Sequence, residues 1–465
     1  MLLPGAGAGA APEERRLRKG SDMEKRSLGI LYLGHPDYLD ENAYAIKRAA
    51  DESLSALPGI TARGNDFAAT NEDARREAAA ILSGDFCGAV IVLATWVECD
   101  IVMTAVKELR GLPFVMIGFP LTEVEGRKES TGSYVSASMM AGVVRRLGLP
   151  ADVLFGSFED PALLKKLSAF VSAAQAADVL RYARIGLFGY TSMSIYTGTF
   201  DHVLMRWKIG PEIEQMDSYS LISRAENMPA EKVNAAAARL HTTVPVDSTI
   251  MPEMLKKTMA IYAALAEMTA EKKWDAVNIK CQYEFSKEYK CVPCVPLSML
   301  ADDGVVASCE GDIPCTVSML ILAALSGQTV TYGDSLNAWD NTVEFSPCGF
   351  LPFGLAAPGP RVQNFLPHPG FTGIQAAGVL RPERVTFLRL VEDIGSYHFV
   401  CGTGQGLKTA MRGGCMPALD VLLDGSLAAL EEAYAGQHYA LCYGDVSEGV
   451  LALGKLLGIP VTLIR

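Results

Sequence analysis

Short runs that are apolar throughout alternate with stretches of helical spacing over the first two thirds of the chain. Residues 27–34 (SLGILYLG) lead into a helical stretch at 41–56, and runs at 87–95 and 112–118 repeat the pattern with helical partners at 68–82 and 100–109. A strand covered on both faces reads as such a run, so this part is predicted to form a doubly wound parallel layer. A second set begins at 184–189, after the helical 161–180, and continues through 254–269, 276–280 and the apolar helix 316–325. From about residue 345 the texture changes to Pro/Gly-rich loops and short alternating strands such as 385–391. The prediction is an α/β protein: two doubly wound Rossmann-like domains followed by a more antiparallel, β-rich domain. The expected divisions are a disordered extension over 1–25, α/β domains over 26–160 and 161–345, and a C-terminal domain over 346–465.

Length agrees with several cores, because 465 residues exceed what one core usually supports. A net charge of −12 opposes nucleic acid and anionic membranes as partners. Apolar runs stay short of a bilayer span. At the N-terminus the charges follow the apolar residues, and Pro4 interrupts them, which is the reverse of a secretory signal. A cytoplasmic protein is therefore expected, with its 11 cysteines reduced. Cys291 and Cys294 have CxxC spacing but no second pair at zinc-ribbon distance, so they are expected to be ordinary buried or near-site thiols.

Ligands of open α/β sheets sit beyond the carboxyl ends of strands, which directs attention to loops 95–98, 189–196 and 308–312. In the last, Cys309-Glu310-Gly311-Asp312 sets two carboxylates between a strand and a helix; Asp312 is placed to cap that helix. Thr331-Tyr332-Gly333-Asp334 reads as a loop after a short strand at 328–330, where an aspartate is an ordinary turn residue. Among six histidines, His202, His241 and His398 sit in regular elements. His35 and His368 lie on loops that could face a ligand, and His438 precedes an apolar run. The glycines at 402–406 lack the spacing of a dinucleotide or phosphate loop.

Four segments together resemble L-fucose isomerase, and more distantly L-arabinose isomerase, from about residue 28 to the C-terminus. They are Ala94-Thr95-Trp96; Ser192 to Gly198 with Phe200-Asp201; Cys309 to Asp312 followed by Gly333-Asp334; and Gln437-His438 followed by Tyr443-Gly444 and residues 457–461. The resemblance implies a divalent metal, Mn²⁺ or else Mg²⁺ or Co²⁺, held by Glu310, Asp334 and His438. It implies that Glu310 and Asp334 move a proton between C1 and C2 of a sugar through an enediol, interconverting an aldose and a ketose. Trp96 is implied to reach substrate in a neighbouring subunit of a homo-oligomer, a hexamer in the family, with Gln282 and Phe371 as further substrate contacts. The sugar stays open, because Asp445 stands where the fucose enzyme has a histidine and 281–283 matches only loosely. Three rival readings remain: a non-catalytic sugar-binding protein, a different sugar-processing reaction on the same metal site, and an NAD-dependent oxidoreductase. The last would need a glycine fingerprint after Leu33, where His35-Pro36-Asp37 stands.

Overall fold

Three sheets organise the chain in a computed structural model that describes residues 25–61, 66–124 and 127–465. The expected extension over 1–25 thus lies, but for its last residue, outside the described residues. The first sheet is parallel, in the order β2-β1-β3-β4-β5, with β1 Ser27–Leu33, β2 Ile60–Thr61, β3 Phe86–Leu93, β4 Phe114–Gly118 and β5 Ala151–Phe155. Its inner strands β1, β3 and β4 are buried on both faces because helices cover both. Leu28, Ile30 and Tyr32 of β1 face one apolar cluster with Ala43 and Ile46 of the helix Glu41–Ser55, whereas Leu31 and Leu33 face another with Ala74, Ile101 and Ala137. This alternation is the doubly wound layer that the continuous apolar runs predict.

A second parallel sheet has the order β9-β8-β6-β7, with β6 Arg184–Phe188, β7 Glu212–Met216, β8 Ala276–Ile279 and β9 Val306–Cys309. The third is antiparallel and closes on itself. β10 Thr331–Trp339, β11 Thr342–Ser346, β14 Leu419–Leu423, β13 Ser396–Gly406, β12 Arg384–Asp393 and β15 His438–Tyr443 each pair with the next, and β15 returns to β10. The last strand, β16 Val461–Ile464, adds in parallel to β13. Closure leaves few open edges and turns one barrel wall, β12-β15-β10, toward the second sheet.

One helix joins the two. Ile313–Ser326 follows β9 directly, is buried through all but its last residue, and packs on β12 and β15 of the barrel as well as on β8 and β9. Asp312 caps it through Oδ1, which accepts from the Cys315 amide at 2.9 Å, and Pro314 occupies its first turn, where no amide proton is required. Asp334 belongs to β10, in the same sheet as His438, and residue 345 falls inside β11. Residues 331–334, expected as a loop, are thus the start of a strand: ladder hydrogen bonds to β15 override their turn-like composition.

Candidate functional site

The turn after β9 is unusual in its backbone. Glu310 has φ +68° and Gly311 φ +72°, two successive left-handed residues of which only the second is a glycine. A Cβ at Gly311 would lie 2.1 Å from the Tyr190 carbonyl oxygen, so glycine is required there. The strain at Glu310, worth about 1–3 kcal/mol, needs an over-determined frame. Asn278 supplies much of it: fully buried on β8, it accepts from the Gly311 amide at 2.8 Å and donates to Ser308 at 3.0 Å and Thr316 at 2.9 Å. The Glu310 backbone donates to Ile279 and accepts from the Ser192 amide, which ties the 192–198 segment to the turn.

Opposite the turn stands the barrel wall. Asp334 and His438 are direct partners across the β10–β15 ladder, so their side chains share one face. His438 Nε2 lies 3.4 Å from Glu310 Oε2 and 3.4 Å from Asp334 Oδ1, yet neither contact is aligned as a hydrogen bond, and the buried nitrogen has no partner. Its other nitrogen is fixed. Nδ1–H donates to Asp312 Oδ2 at 2.8 Å, because an ionised carboxylate can only accept. Asp312 is therefore more than a cap: the same Oδ2 accepts from Arg389 at 2.7 Å, and Arg389, itself fully buried, also donates to the carbonyl oxygens of His438 and Thr197.

The electrostatics follow from this frame. Burial would raise the carboxyls of Asp312 and Glu310, but Arg389 and His438 bring Asp312 down to about 2, and His438 with Gln282 holds Glu310 below its ordinary value. His438 is held well above an ordinary imidazole: burial favours its neutral form, and the carboxylates of Asp312, Glu310 and Asp334 outweigh that. Asp334 goes the other way, up to about 6, through burial and the neighbouring carboxylates, with His438 only partly compensating. Without a further cation the cluster is short of positive charge. An unpartnered imidazole nitrogen flanked by two carboxylate oxygens, with its ring set from behind by a third, is a donor set that suits a divalent ion.

The implied substrate residues fall in different places. Gln282 is buried, and its Nε2 donates to Glu310 Oε1 at 3.5 Å. Phe371 is connected at one remove: its ring meets His368 at 5.1 Å, His368 Nε2 lies 3.6 Å from Cys348 Sγ, and Cys348 Sγ lies 4.0 Å from Glu310 Oε1. Trp96, half-buried on the loop after β3, meets instead the rings of His35 at 5.5 Å and Tyr38 at 6.2 Å, away from Glu310 and its partners. Asp445 accepts from Ser447 and pairs with Arg384, outside the cluster. Cys291 and Cys294 are buried and free. Sequence reasoning passed over Arg389 and Asn278, and gave Asp312 only its capping role.

No family model matches the chain. A sulfoquinovose isomerase of Alkalicoccus urumqiensis is 25% identical over 393 residues, which covers 80% of this chain and 84% of the relative. A sulfoquinovose isomerase of Priestia megaterium is 24% identical over 364 residues, covering 77% and 81%. An L-arabinose isomerase of Acidothermus cellulolyticus is 23% identical over 221 residues, 46% of this chain and 42% of the relative. These similarities support the L-fucose/L-arabinose isomerase superfamily for this chain, and not L-fucose isomerase specifically.

Proposed function

We propose that the chain is a divalent-metal-dependent aldose–ketose isomerase that works through an enediol. The observation that carries this reading is the convergence of Glu310 Oε2 and Asp334 Oδ1 on the unsatisfied Nε2 of His438, each at 3.4 Å. Glu310, Asp334 and His438 would hold the ion, and Mn²⁺ suits such a mixed oxygen and imidazole set, with Mg²⁺ or Co²⁺ as substitutes. When bound, the ion supplies Lewis-acid polarisation of a sugar carbonyl and stabilises the enediolate. Glu310, kept ionised, is suited to take the proton from the carbon next to the carbonyl; Asp334, near 6, is suited to exchange a proton on the hydroxyl side. Asp312 holds the His438 ring in one tautomer, and Gln282 steadies the Glu310 carboxylate. The names of the relatives favour a sulfo-sugar as substrate. Such a substrate calls for a cation, and the exposed Lys287, over the rings of Tyr283 and Phe371 at 4.7 and 5.6 Å, offers one. Trp96 and the exposed Tyr38 beside it would complete the site of a neighbouring copy in a homo-oligomer, a hexamer by the family resemblance.

The test is a panel of free and sulfonated aldoses and ketoses, sulfoquinovose among them, offered to metal-stripped protein with and without Mn²⁺. Turnover should require the metal, and in D₂O the ketose should carry deuterium at C1, because a carboxylate can exchange its proton with solvent before returning it. Glu310→Gln should reduce turnover by ~10²–10⁴-fold. Full activity after exhaustive metal removal would reject the metal site, and early product free of deuterium would reject Glu310 as the proton carrier.

A further inference from the structure

Beside the carboxylates lie two thiols that the isomerase reading does not use, within reach of Glu310. The thiols of Cys281 and Cys309 and a carboxylate oxygen of Glu310 all lie within 4.8 Å of one another, and all three residues are buried. Cys309 ends β9, and Cys281 comes two residues after β8, so adjacent parallel strands deliver both sulfurs to the same carboxyl edge. The Tyr332 hydroxyl sits 2.8 Å from Cys309 Sγ, where it can donate to a thiolate, and Cys348 Sγ, 4.0 Å from Glu310 Oε1, offers a further sulfur. Glu310 stands between two kinds of donor: Oε2 faces His438, and Oε1 faces Gln282 and Cys348.

We propose that Cys281, Cys309 and Glu310 form a second divalent-cation site, selective for a soft ion of the Zn²⁺ class, that shares its carboxylate with Asp334 and His438. Sulfur selects the ion. Thiolates favour Zn²⁺ over Mn²⁺ or Mg²⁺, whereas carboxylates and one imidazole accept the harder ions, so the two sets discriminate by ligand type. Binding converts both thiols to thiolates, with two protons released to solvent, and no oxidant takes part. The two thiolates and one carboxylate supply three negative charges. The Tyr332 hydroxyl and the Gln282 amide serve as outer hydrogen-bond donors, to Cys309 and to Glu310. Because a carboxylate drawn toward sulfur-bound zinc is a poorer ligand on its other side, occupation of the soft site opposes occupation of the hard one. The soft site does not depend on the isomerase reading; its antagonism to Mn²⁺ does.

Zinc added to the metal-stripped full chain, one ion per chain, is examined by X-ray absorption. At least two sulfur neighbours at about 2.3 Å are expected, and a shell of nitrogen and oxygen alone would overturn the site whether or not the protein isomerises a sugar. In equilibrium dialysis Cys281→Ser and Cys309→Ser should each weaken Zn²⁺ at least about tenfold while Mn²⁺ affinity stays within about twofold, which also reports an intact fold. Glu310→Gln should weaken both ions. Sulfur neighbours that persist in the Cys281→Ser/Cys309→Ser double variant would assign the zinc to other thiols and overturn the proposal.

Discussion

The two parallel sheets finish differently at their carboxyl edges. The first ends in rings: Trp96, His35 and the exposed Tyr38 lie against one another, and the nearby charges of Asp37 and Glu98 are in solvent. The second ends in charge, with Glu310 and Asp312 buried under a barrel wall that supplies His438, Asp334 and Arg389. Aromatic rings need only a surface to pack on, and an edge of this kind is suited to recognition by contact. Carboxylates taken out of water need compensating charge; the cations of the second sheet, Arg184 and Lys280, pair with Glu214 and Glu284, and the compensation for Asp312 and Glu310 comes from β12 and β15. The same architectural position therefore carries an aromatic cluster in one case and a buried charged cluster in the other.

The sharpest way to break this contrast is to remove the barrel's compensation. Arg389→Met keeps the apolar bulk but leaves Asp312 buried without its guanidinium partner at 2.7 Å. Loss of one member of a buried pair costs about 3–5 kcal/mol. Denaturant unfolding should show a loss of that size, whereas a substitution on the first edge, such as Tyr38→Ala, should move stability by less than about 1 kcal/mol. An Arg389→Met protein as stable as wild type would mean that Asp312 does not rely on the barrel.

Asp312→Asn comes next. Asparagine can still cap the helix, but it does not hold the imidazole as an ionised carboxylate does, and loss of such an orienting partner typically costs 10–100-fold in metal affinity. Mn²⁺ affinity should fall by about that factor with the fold retained. Unchanged affinity would remove Asp312 from the site and leave it a cap.

How far these elements were legible from sequence depends on how local their cause is. The central strands of both parallel sheets could be read because burial on two faces writes a continuous apolar run, whereas the edge strands Ile60–Thr61, Ala151–Phe155 and Glu212–Met216, exposed in part, were passed over. Asp334 was assigned to the wrong element, since Thr331-Tyr332-Gly333-Asp334 has the composition of a turn; residues 331–333 become strand by pairing with β15, more than a hundred residues away, and Asp334 pairs with both β15 and β11. Arg389 left a signal that could have been used: a lone charge inside the run Val385–Val391, flanked by buried Leu388 and Leu390, cannot stay unpaired. Cys281, Cys348 and Asn278 left none, because each joins the site through contacts between distant segments. His438 was singled out by family resemblance rather than by its own surroundings.

The aromatic edge supplies the third prediction. If it completes a neighbouring copy's site, Trp96→Ala should lose about tenfold or more in turnover while its metal content stays at the wild-type level. Mixing it with inactive Glu310→Gln should restore part of the activity once subunits exchange, since a mixed assembly holds some sites with both residues intact. Proven exchange without recovery would confine Trp96 to its own subunit.

The smallest effect separates the two edges by sign. In the metal-free chain Asp334 carries a charge that burial and the neighbouring carboxylates oppose, which lifts its carboxyl from 3.8 to about 6, with about a quarter of the side chain exposed. A carboxyl raised on folding binds its proton more tightly in the folded chain, so it costs stability wherever the folded form is ionised. That cost is complete above pH about 6 and disappears below its unfolded value of 3.8, where folded and unfolded chains are both protonated. Asp334→Asn should therefore stabilise the metal-stripped protein by about 1–3 kcal/mol at neutral pH, with the gain shrinking as pH falls toward 4. In saturating Mn²⁺ the order should reverse, because the wild type gains binding energy that the variant has lost. Thermal unfolding of both proteins, with and without metal, measures all four values. A variant less stable than wild type in the metal-free state would mean that Asp334 is satisfied as it stands, and would remove the argument that this edge is built around a missing positive charge.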